Sequence, residues 1–241
     1  LVLSAGSLYK VALSPSDTST FNTANKNLYS LLSEDSPRTF SWSPSGRSLA
    51  YVVGTQIYSA PVTSATSVKK TSVAIELPRE TPGGTVVLRG AKAITMAGDL
   101  IVPASDIVVK NNRIAAIGKQ GEVEIPKEAK VIDISGKVIV PGFIDVHAHW
   151  TLRPELWEPE CSSIYSNLAF GITTVRDPQS SPEIFGYADW MDAGEVPSPR
   201  IFSTSLGIFE SNNIQSLEHA RKLVQPYRDQ YKTSLMKFYL P

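Results

Sequence analysis

The stretch KVIVPGFIDVHAHW, Lys137 to Trp150, decides how the chain is interpreted. Its β-branched run, Val138 to Val140, is interrupted by Pro141-Gly142 and resumes at Phe143. A short, nearly continuous apolar run that is bounded by turn residues is typical of a parallel strand covered on both faces. The sequence therefore predicts one buried β-strand here.

Two histidines close this stretch. Alternate side chains of a strand share a face, so Asp145, His147 and His149 are expected to point the same way. Two imidazoles placed two residues apart on a rigid strand end can bind one metal ion, and neutral histidine nitrogen is a preferred zinc ligand. The chain has only three histidines in 241 residues, and two of them fall in this triplet. From the residues alone, the alternative of two ordinary strand-end histidines stays open.

Several motifs of the chain resemble one enzyme family. PGFIDVHAHW resembles the first barrel strand of the amidohydrolase superfamily, in which the His-x-His motif supplies metal ligands. Upstream, LRGAKAIT, DIVVKNNRIAAIG and VIDISGKVIV resemble the small β-sandwich that precedes the barrel in that family. The strands predicted there are Thr85–Arg89, Lys92–Met96, Ser105–Lys110, Arg113–Ile117, Ala129–Ile134 and Lys137–Val140, with a turn at Asn111-Asn112.

Beyond residue 150 the pattern alternates between helix and strand. The predicted strands are Ile172–Arg176, Arg200–Ser205 and Ser234–Leu240. The predicted helices bury Cys161, Ile164 and Leu168 before Gly171; Ile184, Ala188 and Met191 after Ser181-Pro182; and Leu217, Ala220, Leu223 and Val224 after the cap Ser216. This order implies parallel strands with right-handed crossovers, and therefore about strands 1–4 of a (β/α)8 TIM-like barrel.

Lys237 lies among apolar residues on the fourth predicted strand. Desolvation favours the neutral amine of a lysine, and a neutral amine can add carbon dioxide to become a carbamate with two ligand oxygens. The resemblance implies a carboxylated-lysine site in which His147, His149 and Lys237 bind two divalent ions, here expected to be zinc. The alternative, a lysine whose charged end reaches solvent, stays open.

Other polar residues receive supporting roles. Asp145 is expected to support the ligands, and Arg176 with Asp177 to anchor a loop through an ion pair. His219 is placed on an outward helix away from the site, and Cys161 in the core.

No catalytic residue is predicted in this chain. The resemblance assigns two more histidines to strands five and six and the proton-transferring aspartate to strand eight, so we expect a truncated chain that is inactive alone.

Residues 1–65 have a different character. Ser7–Val11, Gln56–Val62 and the hairpin Thr39–Val53, which turns at Ser43–Gly46 and is followed by a turn at Gly54-Thr55, predict an antiparallel sheet. The Ser-Pro-x-Gly turn with flanking aromatics resembles a blade of a TolB-like β-propeller, although an unrelated β-rich region is the alternative. The predicted organisation is a propeller fragment at 1–65, a linker at 66–81, a β-sandwich at 82–140 and half a barrel at 141–241: an α/β plus all-β chain.

Composition limits the partners. Lys+Arg and Asp+Glu both number 23, so nothing favours nucleic acid or an anionic membrane. No apolar run is long enough to span a bilayer, and no signal peptide is visible, although the TolB-like resemblance favours a periplasmic or secreted location.

The amidohydrolase resemblance implies metal-dependent hydrolysis of a C–N bond in a cyclic amide, dipeptide or related small molecule. The alternative is a non-catalytic propeller and barrel module that binds a protein or peptide. Association with a second copy, or with the rest of the chain, stays open.

Overall fold

The structure, a computed structural model, describes residues 2–4, 7–11, 29–33, 37, 39–53, 55–63, 67–150, 152, 158, 160–212, 214–231 and 233–239. Gly54 and Leu240, which the sequence places in a turn and at the end of the fourth barrel strand, lie outside these residues. The chain divides into two compact units. The first comprises Leu1–Glu76, Ile208–Ser234 and Phe238–Pro241, and the second comprises Leu77–Gly207 and Leu235–Lys237.

The first unit contains two antiparallel sheets. Its strands are β1 (Val2–Ser4), β2 (Ser7–Val11), β3 (Tyr29–Ser33), β4 (Thr39–Trp42), β5 (Ser48–Val53), β6 (Gln56–Pro61) and β7 (Lys69–Ser72). β1 to β3 form one sheet, and β4 to β7 form a four-stranded sheet in chain order. The predicted Thr39–Val53 hairpin is confirmed, with Gly46 N donating to Ser43 O at 2.8 Å. A propeller needs several blades around an axis, so the TolB-like propeller fragment at 1–65 stays a prediction.

The second unit begins with a five-stranded sheet. Its strands are β8 (Thr85–Ile94), β9 (Ile101–Lys110), β10 (Arg113–Lys119), β11 (Lys130–Asp133) and β12 (Val138–Ile139). β10, β9, β8 and β11 lie in that order, and β12 also pairs with β8. The Asn111 turn is confirmed, since Asn111 has a φ of 57°. The β-sandwich predicted at 82–140 contributes this five-stranded sheet in the described residues and otherwise stays a prediction.

The first two predicted strands of this region are one continuous strand. β8 runs through Gly90, where its register with β9 shifts and φ is +91°. The prediction of a break between Arg89 and Lys92 was wrong, because a glycine that adopts a left-handed conformation bends a strand without ending it.

A parallel sheet follows in the second unit. Its elements are β13 (Phe143–Asp145), α1 (Ser162–Ala169), β14 (Ile172–Asp177), α2 (Glu183–Ala193) and β15 (Arg200–Ser203). The strands pair in parallel in the order β13-β14-β15, which confirms the predicted alternation for three strands. The core between sheet and helices contains Ile164, Val175, Ile184 and Tyr187, all at most 1% exposed. Gly171 follows α1 with a φ of +79°, as the sequence predicts.

The single strand predicted over Lys137–Trp150 is divided between two sheets. β12 joins the five-stranded sheet and β13 joins the parallel sheet, because the intervening Pro141 cannot donate a ladder hydrogen bond. Phe143, Ile144 and Val146 are 61%, 65% and 62% exposed, so the prediction of a strand covered on both faces was wrong. Within the described residues β13 is an edge strand with one neighbour, which leaves these side chains uncovered.

The predicted fourth barrel strand is also absent from the described residues. Residues 233–239 form only an isolated parallel bridge between Ile208 and Phe238, with Tyr239 N donating to Ile208 O at 2.9 Å. A strand needs a neighbour that takes up its backbone hydrogen bonds along its length, and here only one bridge does so. The described strands therefore form no closed barrel, and the predicted half-barrel is reduced to three parallel strands.

The first unit also contains the short 3₁₀ helix Glu210–Asn212 and α3 (Leu217–Asp229). Ser216 caps α3 by accepting a hydrogen bond from His219 N at 3.0 Å, as predicted. The predicted apolar side is only partly buried: Leu217 is 67% exposed, and the buried residue is Tyr227. None of the described helices combines the length and apolar character that a membrane crossing requires.

Candidate functional site

The histidine triplet lies just beyond the end of β13. The strand ends at Asp145, and Val146 and His147 form a turn. His147 N donates to Asp145 Oδ1 at 2.9 Å, which is the local bond by which an aspartate closes a turn two residues on. Asp145, half-buried, therefore holds the backbone of the first histidine.

The two imidazoles lie next to each other. The ring centroids of His147 and His149 are 5.0 Å apart with an interplanar angle of 62°. Between and after them, Ala148 and Trp150 are buried at 4% and 6% exposure in the core of the parallel sheet. Ala148 N donates to Arg176 O at 3.1 Å, which continues the pairing with β14 past the last residue of β13. His147 and His149 are exposed on either side of the buried Ala148, so both imidazoles lie away from the core.

Asp177, the last residue of β14, lies beside His149 and bonds to Trp150, at the end of the His147-Ala148-His149 triplet. Its carboxylate is fully buried and accepts hydrogen bonds from Trp150 N at 2.9 Å and from Gln179 N at 2.8 Å. Its Oδ1 lies 4.0 Å from His149 Nδ1. Burial raises the pKa of Asp177, while the two backbone hydrogen bonds and the nearby imidazoles act in the opposite direction.

Arg176 makes no ion pair with Asp177 in the part of the chain that the structure describes. Consecutive side chains of a strand point to opposite faces, so Arg176 is directed away from the carboxylate. Its Nε is buried and has no hydrogen-bond partner among the described residues. Asp177 anchors the loop through backbone N–H groups rather than through the predicted ion pair.

Lys237 is half-buried and lies in an irregular segment next to the Ile208–Phe238 bridge. It belongs to the same unit as the histidines, and its approach to them stays a prediction. His219 lies in the first turn of α3, and Cys161 is buried at 3% exposure just before α1. Among the described residues, contacts join Asp145 to His147, His147 to His149, and His149 to Asp177.

A group of buried hydroxyls at the same strand ends was missed by the sequence interpretation. Ser180, Ser203, Thr204 and Ser205 follow or end β14 and β15, and each is at most 6% exposed. Thr204 Oγ1 donates to Pro178 O at 2.5 Å, while the hydroxyls of Ser180 and Ser205 have no partner among the described residues. Serine clusters are common in loops, so the sequence signal for a buried group was weak.

The donor set is suited to a divalent metal but is incomplete. Two adjacent imidazoles beside a buried carboxylate are the donors that zinc and similar ions take in proteins. Across the described ranges, no group of three or more His, Cys, Asp or Glu residues is arranged to hold a metal ion. His147 and His149 can therefore supply two ligands, and further ligands must come from elsewhere, Lys237 being the predicted one.

Sequence comparison finds relatives for part of the chain. No protein-family model matches it. Over 84 residues it is 34% identical to adenine deaminase 2 of Shouchella clausii, a match that covers 34% of this chain and 14% of that protein. Over 103 residues it is 37% identical to dihydroorotase of Caldicellulosiruptor saccharolyticus, covering 41% of this chain and 23% of that protein. The matches thus span less than a quarter of the length of these relatives.

Solved structures show a similar backbone arrangement. A prolidase complexed with N-methylphosphonate-L-proline has a TM-score of 0.50 at 20% identity, over 64% of this chain and 46% of the prolidase. A protein from Bifidobacterium longum described as a prolidase has a TM-score of 0.51 at 23% identity, over 65% of this chain and 41% of its own. At these identities the likeness concerns the fold alone.

Proposed function

We propose that this chain is part of a metal-dependent hydrolase of the amidohydrolase superfamily that cleaves a C–N bond. Its curated relatives and structural neighbours include an adenine deaminase, a dihydroorotase and a prolidase, which act on C–N bonds. The observation that carries the proposal is the pair of imidazoles, with centroids 5.0 Å apart, held beside the buried carboxylate of Asp177 at the carboxyl end of a parallel sheet. Active sites of parallel α/β folds lie at that end.

The residues of the chain would divide the work as follows. His147 and His149 would hold a divalent metal, and Lys237, as a carbamate, would add an anionic ligand able to bridge two ions. Such a metal supplies a Lewis acid and a water that ionises near neutral pH. Asp145 holds the His147 backbone, and Ala148 and Trp150, buried in the core, hold the chain around His149.

The finer parts of the proposal rest on the sequence resemblance. We take two zinc ions as the cofactor, and a cyclic amide, dipeptide or related small molecule as the substrate. The four-stranded sheet of β4 to β7 would be one blade of a TolB-like propeller in the complete protein, with a periplasmic or secreted location. Residues that complete the ligand set and transfer the proton would lie outside this chain.

One observation favours a second candidate. The described residues contain no three-residue group of His, Cys, Asp or Glu that could hold a metal. A non-catalytic module in which propeller and barrel bind a protein or peptide would need no such group. Metal content separates the two candidates directly.

The first test is metal content. In the complete protein, the double change His147→Ala, His149→Ala should remove most of the bound divalent metal, measured by elemental analysis after purification. The matched control is His219→Ala, which removes the third histidine on α3 and should leave the metal content unchanged. Full metal content in the double variant would contradict the ligand assignment, and a metal-free wild-type protein would favour the binding module.

The second test concerns Lys237. Lys237→Ala should abolish hydrolysis, and added short carboxylic acids should restore part of it by occupying the space of the carbamate. Lys237→Arg is the control: it keeps the positive charge but cannot form a carbamate, and it fills the space that the acid would need. It should therefore be inactive and resistant to rescue. Wild-type activity in either variant would exclude the carbamate.

A further inference from the structure

We infer that Asp177 is a positioning residue that fixes His149 so that its Nε2, and not its Nδ1, is presented to the metal. The inference rests on the proposed function and deepens it, because it assigns an orientation to one of the two proposed ligands. It follows from three contacts of one buried carboxylate.

The backbone on both sides of His149 is fixed to β14. On one side, Ala148 N donates to Arg176 O at 3.1 Å; on the other, Trp150 N donates to Asp177 Oδ2 at 2.9 Å. The first bond continues the strand pairing and depends on no side chain. The second bond depends entirely on the Asp177 carboxylate. This side chain therefore fixes the position of the backbone that follows His149.

The carboxylate itself has little freedom to turn. Oδ2 is engaged by Trp150 N and Oδ1 by Gln179 N at 2.8 Å, and the side chain has no exposed surface. A carboxylate that accepts one backbone hydrogen bond on each oxygen has a defined plane. The same Oδ1 is the carboxylate oxygen that lies 4.0 Å from His149 Nδ1.

The orientation of the ring follows from this contact. His149 Nδ1 is the ring nitrogen 4.0 Å from Asp177 Oδ1, while 51% of the side chain remains exposed. At this distance the contact is electrostatic and not a hydrogen bond. A carboxylate on the Nδ1 side of an imidazole favours the proton on that nitrogen and leaves the free electron pair on Nε2. Asp177 is in contact with His149 Nδ1, whereas the backbone of His147 is held by Asp145, so loss of Asp177 should act on His149 more than on His147.

Metal affinity, rather than activity, provides the test. In the complete protein stripped of metal, Co²⁺ titration followed by visible absorption should show a Kd raised about 10–100-fold in Asp177→Asn, the usual cost of losing such a partner. The amide can still accept one backbone hydrogen bond, but its NH₂ group faces the other donor and the anionic partner of Nδ1 is lost. With Zn²⁺ bound, ¹⁵N NMR of the histidine rings should show His149 bound through Nε2 in the wild type.

Thr204→Val is the control that separates the positioning of His149 by Asp177 from a general loss of local structure. It removes a buried hydroxyl at the same strand ends that donates to Pro178 O and Ser205 O rather than to either histidine. It should destabilise the protein while leaving the Co²⁺ affinity unchanged. Equal affinity in Asp177→Asn and wild type, or Zn²⁺ bound through Nδ1 of His149, would overturn the inference alone. A wild-type protein that binds no Co²⁺ would overturn both the inference and the proposed function.

Discussion

Replacing Asp106 with alanine should lower the free energy of unfolding by about 3 kcal/mol, because it removes the fully buried partner of the Arg89–Asp106 ion pair. Asp106, on β9, is fully buried and accepts from Arg89 Nε at 2.8 Å, Arg89 Nη2 at 3.1 Å and Gly121 N at 3.0 Å. The Arg89 side chain, on β8, is 34% exposed, so it can recover some hydration. Because Arg89 can be hydrated again, the expected loss of unfolding free energy lies at the lower end of the range of about 3–5 kcal/mol for removing one partner of a buried ion pair.

The matched control is Asp99→Ala, which removes an exposed aspartate in the connection between β8 and β9. Surface changes of this kind alter stability by no more than about 0.5 kcal/mol. Urea unfolding of both variants measures the difference. A loss in Asp106→Ala that matched the control would show that the ion pair contributes nothing to the five-stranded sheet.

The effect should depend on pH with a definite sign. The hydrogen bonds from Arg89 hold the pKa of Asp106 below its usual value. A carboxyl whose pKa is lower in the folded state contributes its full stability above its unfolded pKa, about 3.9, and loses it as pH falls through the folded pKa. The stability gap between wild type and Asp106→Ala should therefore be constant near neutrality and narrow in acid.

The second large effect is expected at Gly90. Its φ of +91° strains any other residue by about 1–2 kcal/mol. An added Cβ would also lie 2.2 Å from Ser135 Oγ and 3.2 Å from Ser135 Cα, and such overpacking costs about 1–3 kcal/mol. Gly90→Ala should therefore lower the free energy of unfolding by about 3 kcal/mol, measured by denaturant titration.

Gly84→Ala provides the control for the backbone contribution. Gly84 has a similar φ of +87°, but an added Cβ would meet nothing within 4 Å. It should cost only the conformational part, about 1–2 kcal/mol. Equal losses of unfolding free energy in Gly90→Ala and Gly84→Ala would mean that the added Cβ at residue 90 is accommodated next to Ser135 at no cost. The close approach of Gly90 and Ser135 would then not constrain the sheet.

The elements that the sequence predicts well are those fixed by neighbouring residues. The Asn111 turn, the hairpin at Ser43–Gly46, the end of α1 at Gly171 and the Ser216 cap each depend on the conformational preferences of one to four adjacent residues. Local chemistry of this kind is visible in the sequence. The adjacency of His147 and His149 was predicted from strand alternation, but it occurs beyond the end of β13, where His147 lies in a turn.

The features that could not be predicted depend on pairing between distant segments. Nothing in Val138–Ile139 shows that it pairs with Lys92–Ala93 while Phe143, four residues later, pairs with Ile172. Ser234–Leu240 has the composition of a strand, yet among its described residues, 234–239, the one β-bridge is that of Phe238 with Ile208. The hydrogen bond from Trp150 N to Asp177 likewise required the fold, since 27 positions separate the two residues.

The division of Lys137–Trp150 between two sheets has a consequence for protein engineering. β12 and β13 are separated by only Val140, Pro141 and Gly142, so the five-stranded sheet is tethered directly to the histidines. Gly142 leaves no room at this tether, because a Cβ there would lie 2.1 Å from Thr173 Oγ1 of β14. A chimera with a crossover inside these three residues would join the histidines and β14 to a foreign five-stranded sheet, whereas exchange of everything from Thr85 to Asp177 as one cassette would keep the native connection between the two sheets.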